Sequence, residues 1–425
     1  MTKTKDKLPL IKTPKSAPPA WLAHNPLVRL LGNERWQSLS IPLFSILCSV
    51  VAISIVILLI GKNPLEAFYS LIAGAGWLAK ANYAGGKSQL TDFMLFLDAL
   101  TPMLFAALAV TVALKSGLFN IGVSGQMLLA GFIATIAVGY SDMSAWLARP
   151  LVLLVGIIVG AIAGGLMGWL KYQFNIHEVV SSIMLNNIFV LVVGYFIKTQ
   201  LFNSTTRSSF AVGANARLAI APVHFSGIST SIPLGLFLAL AAAVGIWFLL
   251  TKTKQGFELT AVGKNTRASD YAGIRVGRTM ILAMVISGGL AGLAGVTYYL
   301  GLFASIIPGE LTSVGFDSIA VALLGNIHPL GAILSSLLIT TLNQGATYMM
   351  STVGVRKEIA SLIVGMILLF SACGGYIRLW VERSKQGVDA GMDPGSNPGQ
   401  APLPQIPQDA QDAQGAQAPE GGEVA

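Results

Sequence analysis

Apolar residues in this chain gather into long unbroken runs rather than alternating or heptad patterns. Ile41 to Ile60 (IPLFSILCSVVAISIVILLI) carries no charge over twenty residues. A bilayer core about 30 Å thick is crossed by roughly 20 helical residues, so this run predicts a first transmembrane helix. Similar runs lie at Leu97–Leu114, Leu118–Tyr140, Leu151–Leu170, Val179–Ile197, Ile232–Leu250, Met280–Leu300, Leu330–Gly345 and Ile359–Tyr376, which predicts about nine or ten spans. They are too long and too evenly apolar for barrel strands, so the expected fold is an all-α polytopic bundle. From Lys62 to Asp92 the chain is less apolar, and Trp77 and Tyr83 suit a segment outside the bilayer and partly in its interface. Phe316–Gly325 fits either a re-entrant half-helix or a short span.

Composition agrees with lipid as the solvent: 54% of the 425 residues are hydrophobic and 11% charged, against about 25% charged in a soluble domain. Cys48 and Cys373 both sit in apolar runs, where a free cysteine acts as a small hydrophobe. Some forty mostly polar residues precede the first run, so it is read as a retained helix and not a cleaved signal. Residues 1–38 are basic and are expected in the cytoplasm by the positive-inside bias. Alternation then places the loop 251–279 on the same side, and its Lys252, Lys254, Lys264, Arg267, Arg275 and Arg278 outnumber Glu258 and Asp270. A membrane domain is expected over 39–380. Residues 381–425 form an acidic tail rich in Pro, Gly and Gln that is too polar to bury a core, so disorder is expected there. The formal charge of +8 is spread over helix ends, which suits anionic headgroups better than nucleic acid.

Several chemistries are excluded. AGGKS at Ala84–Ser88 is not a phosphate loop, because Ala81 stands where the earlier Gly is needed and neither strand nor crossover helix flanks it. No nucleophile–base pairing and no metal-ligand spacing is found, so catalytic and metal sites are both expected to be absent. His177, Glu178 and His328 stand at turns. Ionisable groups deep in the spans are nearly absent, which points to a neutral solute and away from an ion-coupled carrier.

Polar residues inside the runs are the candidates for a solute path. NIGVSGQ carries Asn120, Ser124 and Gln126 among glycines, the pattern of an interrupted helix. SSIMLNNI carries Ser182, Asn186 and Asn187 in one to two turns. Such neutral groups can bond a polar solute, or bridge neighbouring helices. Asn343 and Gln344 read as interfacial. In the basic loop, Asn265 is an N-cap candidate, Thr266–Ala272 allow two turns and Gly273 suits a left-handed C-cap, so a short capped helix is expected.

The loop KQGFELTAVGKNTRASDYAGIRVGR (254–278) resembles the coupling loop of ABC importer permeases of the branched-chain amino acid, ribose and nucleoside type. The resemblance rests on Ala261, Val262, Gly263, Asn265, Tyr271, Ala272, Gly273 and Ile274, with Thr260 and Thr266 departing from the pattern. GKNPLEAFYSL (from Gly61), GLFNIGVSGQ (from Gly117) and GFDSIAVALLGNIHPLG (from Gly315) are similar to the nucleoside branch. The resemblance implies a type II-like importer permease in a bacterial plasma (inner) membrane that binds no cofactor itself. ATP would be used by a separate ATPase, expected as a double cassette, docking on Gly256, Val262, Gly263, Asn265, Arg267, Tyr271 and Gly273. A second permease subunit and an extracytoplasmic solute-binding lipoprotein would complete the assembly. Nucleoside is the expected cargo, with ribose or another simple sugar second and an ion-coupled carrier third.

Overall fold

The computed structural model describes residues 37–80, 83, 88–225, 228–356 and 358–372. The basic segment before residue 37, the Pro/Gly-rich tail, Cys373 and most of AGGKS lie outside the described residues.

Among the described residues, each apolar run lies largely on a helix. The helices are α1 (Gln37–Leu59), α2 (Pro64–Gly74), α3 (Gln89–Lys115), α4 (Val123–Ala134), α5 (Ala145–Phe174), α6 (Glu178–Gln200), α7 (Leu234–Lys252), α8 (Lys254–Lys264), α9 (Thr266–Tyr271), α10 (Val276–Val296), α11 (Val314–Leu324), α12 (Pro329–Val353) and α13 (Glu358–Ala372). The runs are not all of one kind. α3, α5, α6, α7 and α10 with its continuation are long and apolar enough to cross a bilayer; α1 and α2 make a pair bent by 116° that counts as a sixth. Three apolar helices, Val123–Gly139, Val314–Leu324 and Glu358–Phe370, are shorter. α12 has the length but carries hydroxyls and amides along one face, which lowers its hydropathy. Against the nine or ten expected spans, five helices among the described residues, or six with the bent pair, have the length and hydropathy of a full crossing.

Local sequence explains the ends. Ser88, the last residue of AGGKS, caps α3 in a box with Thr91. His177 caps α6 and His328 caps α12 through their ring nitrogens. Asn63 and Pro64 start α2 where the chain turns back. α2, in the less apolar segment, packs on α12. Gly74 meets Gly345 of α12, and Trp77 Nε1 donates to Thr341 Oγ1 at 3.1 Å.

The tightest pair is α5 against α10. Gly156, Gly160 and Gly164 face Gly288 and Gly292, and a Cβ on Gly160 would overlap the Gly288 carbonyl. Small residues at this spacing let two backbones touch in a solvent that offers helices no hydrophobic drive to associate. The ends of the bundle differ in chemistry. At one end α8 packs on the C-terminus of α3, and Lys171 of α5 pairs with Glu178 of α6 at 2.9 Å. At the other, two antiparallel hairpins join α6 to α7: β1 (Phe202–Asn203) with β2 (Ser208–Ser209), and β3 (Ala219–Phe225) with β4 (Ile228–Pro233). The Ser209 and Val212 amides donate to Ile306 and Ala304 beyond α10, each at 2.9 Å.

Candidate functional site

The chain leaves α3 at Gly117, whose φ is +73°, and runs unwound to Gly122 before α4 begins inside the bundle. Irregular backbone there must find partners within the protein. Asn120 and Asn186 provide them. Asn120 Oδ1 accepts from the Gly122 amide at 2.9 Å, while its Nδ2 donates to Ser287 Oγ (2.9 Å) and Gln126 Oε1 (3.2 Å). Asn186 Oδ1 accepts from the Gly125 amide at 3.1 Å and its Nδ2 donates to the Ile121 carbonyl at 3.1 Å. Ser287 continues the chain of bonds to the Ala109 carbonyl at 2.7 Å. The network thus ties α3, α4, α6 and α10 around the unwound segment.

Of the six candidates for the solute path, Asn120, Ser124, Gln126 and Ser182 are 0% exposed and Asn186 is buried. Gln126 Nε2 and Ser182 Oγ both reach Met167 Sδ, and Ser124 Oγ donates to the Thr312 carbonyl at 3.0 Å. Asn187 points the other way, onto the exposed face of α6, and donates to its own helix at Ile183. None of the six lines the cavity described next. Each of the buried five makes hydrogen bonds within the bundle, the pattern of bridging groups between membrane helices.

A cavity of about 300 Å³ opens between α3, α10, α11, α12 and α13. Thr340, Asn343, Gln344 and Thr347 line it from α12, one face at i, i+3, i+4 and i+7. Tyr298 lines it from the π-helical stretch Thr297–Leu302 that extends α10, and Ser361 from α13. Asn343 Nδ2 donates to Asp317 Oδ2 of α11 at 3.0 Å. A carboxylate can only accept, so this bond turns the Asn343 carbonyl away from Asp317. Thr340 is 2% exposed, and its hydroxyl has no partner among the described residues. A buried unmatched hydroxyl beside a cavity is a group waiting for a ligand or water. From sequence alone Asn343 and Gln344 read as interfacial, and nothing in the pattern of charge marks Asp317 or Thr340 as part of a site. The i, i+3, i+4, i+7 spacing in ITTLNQGATY was the signal that could have found this face.

The basic loop holds two helices, one more than its caps suggested. Thr253 Oγ1 accepts from Gly256 N at 3.1 Å to start α8, which buries Gly256, Leu259 and Val262. Asn265 Oδ1 accepts from Ala268 N at 3.0 Å to start α9, and Gly273 closes it at φ +80°. Arg267 is exposed, and Tyr271, at 94%, stands almost entirely free at the tip. Gly263 packs backbone to backbone on the end of α3, where a Cβ would overlap the Lys115 carbonyl and sit 2.8 Å from Gly117 N. The loop therefore bears directly on the residue where α3 unwinds.

Residues 94–372 match the family described as branched-chain amino acid transport system / permease component. The chain belongs to this permease family. It is 34% identical to the nucleoside ABC transporter permease protein NupB of Lactococcus lactis subsp. cremoris (strain MG1363), over 83% of this chain and 96% of that one. It is 34% identical to the guanosine ABC transporter permease protein NupP of Bacillus subtilis (strain 168), over 83% and 98%. The glucose ABC transporter permease protein TsgB13 of Haloferax volcanii is 26% identical over 89% and 96%. As an ABC permease the chain is a multi-pass membrane component of an importer and not itself an enzyme; ATPase and substrate-binding partners belong to the same kind of system. The permease match begins within α3 and ends with α13, so it takes in the asparagine network, the cavity and the loop helices.

Proposed function

We propose that this permease imports nucleosides by alternating access, with the α12 face of the cavity as part of the path. The observation that carries the reading is that face. Glu358 at the start of α13 is the one charged side chain lining the cavity among the described residues, while Thr340, Asn343, Gln344 and Thr347 offer hydroxyls and amides. Such groups exchange hydrogen bonds with ribose hydroxyls and base edges without the desolvation cost of an ion. The volume is near the lower end of the ~300–1,000 Å³ typical of small-molecule sites. The names of the NupB and NupP relatives support the choice of cargo. A simple sugar is the second reading, favoured by the glucose permease relative.

In this proposal the loop of α8 and α9 faces the cytoplasm, as does the N-terminus, and α9 docks on a cassette ATPase through Tyr271 and Arg267. ATP is bound there and not on this chain. A second permease subunit, a paired cassette and an extracytoplasmic binding lipoprotein complete the transporter. Motion of α9 passes through the Gly263–Gly117 contact into the unwound segment and the Asn120 network. From α4 it continues to α11, because Ser124 holds the Thr312 carbonyl and Gly315 packs on Ser124. The Asp317–Asn343 bond then links α11 to the cavity wall. Rigid elements joined this way tilt as units, which is how hinge-type switches move.

Proteoliposomes holding the permease, its ATPase and its binding protein test the reading. Labelled nucleoside accumulates only when ATP is supplied on the ATPase side. Accumulation driven by an ion gradient without ATPase refutes it, and accumulation of sugar but not nucleoside transfers it to the second cargo.

A further inference from the structure

The loop helices border a second cavity, of about 690 Å³, that the transport path does not use. Lys254, Glu258, Arg275 and Arg278 line it with charge, and Ile281, Leu282 and Val285 line it with apolar surface. Among the described residues Arg275 and Arg278 make no ion pair, while the nearby Glu258 meets Lys254 at 3.8 Å. Both arginines are exposed. They flank the start of α10, whose first turn carries no acid, so the positive end of the helix dipole adds to a groove where Lys254, Arg275 and Arg278 outnumber Glu258. An adjoining recess of about 740 Å³ shares Arg275, Arg278 and Ile281 and adds Arg267 and Asp270.

We propose that this groove binds one anionic phospholipid, its phosphate between Arg275 and Arg278 and an acyl chain along Ile281, Leu282 and Val285. Charge alone fits any anion, and exposed arginines beside α9 also suit a protein partner. The wall decides between them. Ile281 to Val285 lie about 7–14 Å along α10 from Val276 at 1.5 Å per residue, in a helix long and apolar enough to cross a bilayer, where an acyl chain is a better match than a soluble subunit. Headgroup site and chain site are continuous, and only an anionic amphiphile fills both. Basic pockets beside transmembrane helices hold lipid headgroups on this principle. A lipid there would brace the turn between α8 and α10 against the membrane surface.

Native mass spectrometry of the full-length permease measures retained lipid. The wild type, equilibrated with equal phosphatidylglycerol and phosphatidylcholine, retains one phosphatidylglycerol. Arg275→Gln with Arg278→Gln weakens retention about 30-fold, at the ~1 kcal/mol per basic side chain typical near a membrane surface. Leu282→Trp, which obstructs the chain path and leaves the charges alone, also lowers retention, while Arg207→Gln in the hairpin region at the other end does not. Three results overturn the proposal: phosphatidylcholine retained equally, glycerol phosphate displacing the lipid at equal concentration, or stoichiometric ATPase expelling it. The last would make the groove part of the ATPase contact. If the double variant does not fold, the lipid competition on the wild type and the Leu282→Trp result decide.

Discussion

Replacing Gly263 with Ala adds one methyl at the point where α8 rests on the end of α3. That methyl would overlap the Lys115 carbonyl and lie 2.8 Å from both Gly117 N and the Ser116 carbonyl carbon. All three are backbone atoms, so no rotamer change relieves the clash and the two elements must separate by roughly an ångström. Overpacking of this kind costs about 1–3 kcal/mol. That is a minority of the ~5–15 kcal/mol that holds a domain together, so the variant still folds and inserts. The same energy at a joint between two moving parts corresponds to a coupling loss of about 5–150-fold. The expected result in proteoliposomes is ATP hydrolysis near the wild-type rate with solute moved per ATP reduced by at least about 5-fold. Gly245→Ala and Gly365→Ala are the controls, since a Cβ at either meets nothing within 4 Å. An unchanged transport-to-hydrolysis ratio for Gly263→Ala would refute the idea that the loop drives the bundle through this contact.

Three further outcomes follow from the same geometry. Asn120→Leu leaves Gln126 Oε1 and the Gly122 amide without their partner, each unmatched buried group costing about 1–3 kcal/mol, while Ser287 keeps its bond to the Ala109 carbonyl. Its thermal midpoint should fall and uptake of every solute should drop by the same factor; a change confined to one solute would restore a direct cargo contact. Asn343→Leu with Asp317→Leu removes both partners of one bond, so stability changes little. Competition uptake should then show altered preference among nucleosides, and an unchanged preference order removes this face from the path. Burial, then the Lys115 charge, holds His328 below the usual histidine range. The unfolded chain then binds the extra proton first, so this contribution to stability is full above about pH 6.5 and declines as pH falls toward the lower folded value. His328→Asn keeps a cap for α12 and should flatten that decline in thermal melts between pH 7 and 5.

The sequence made the bundle legible because lipid writes its demand in the crudest terms, a long run with no charge. It made the loop legible through caps, since Asn265 and Gly273 act on their own neighbours within a few residues. Distinguishing full crossings from partial ones needed more. Val123–Gly139 and Val314–Leu324 are as apolar as their neighbours, and only packing shows that each starts inside the bundle, where Ser124 and Gly315 touch. The asparagines carried the same ambiguity: Asn120 and Asn343 are identical side chains in apolar surroundings. One satisfies an unwound backbone and the other stands at a cavity, and the difference lies in what α4 and α11 bring to them. Polar residues in a membrane helix therefore mark a broken ladder or a solute, and the partner of each amide decides which. Asn120 has its bonds filled by Gly122, Gln126 and Ser287, whereas the Asn343 face includes a Thr340 hydroxyl still unmatched among the described residues. That remaining hydrogen-bonding capacity, rather than polarity as such, is what makes the α12 face the candidate for contact with cargo.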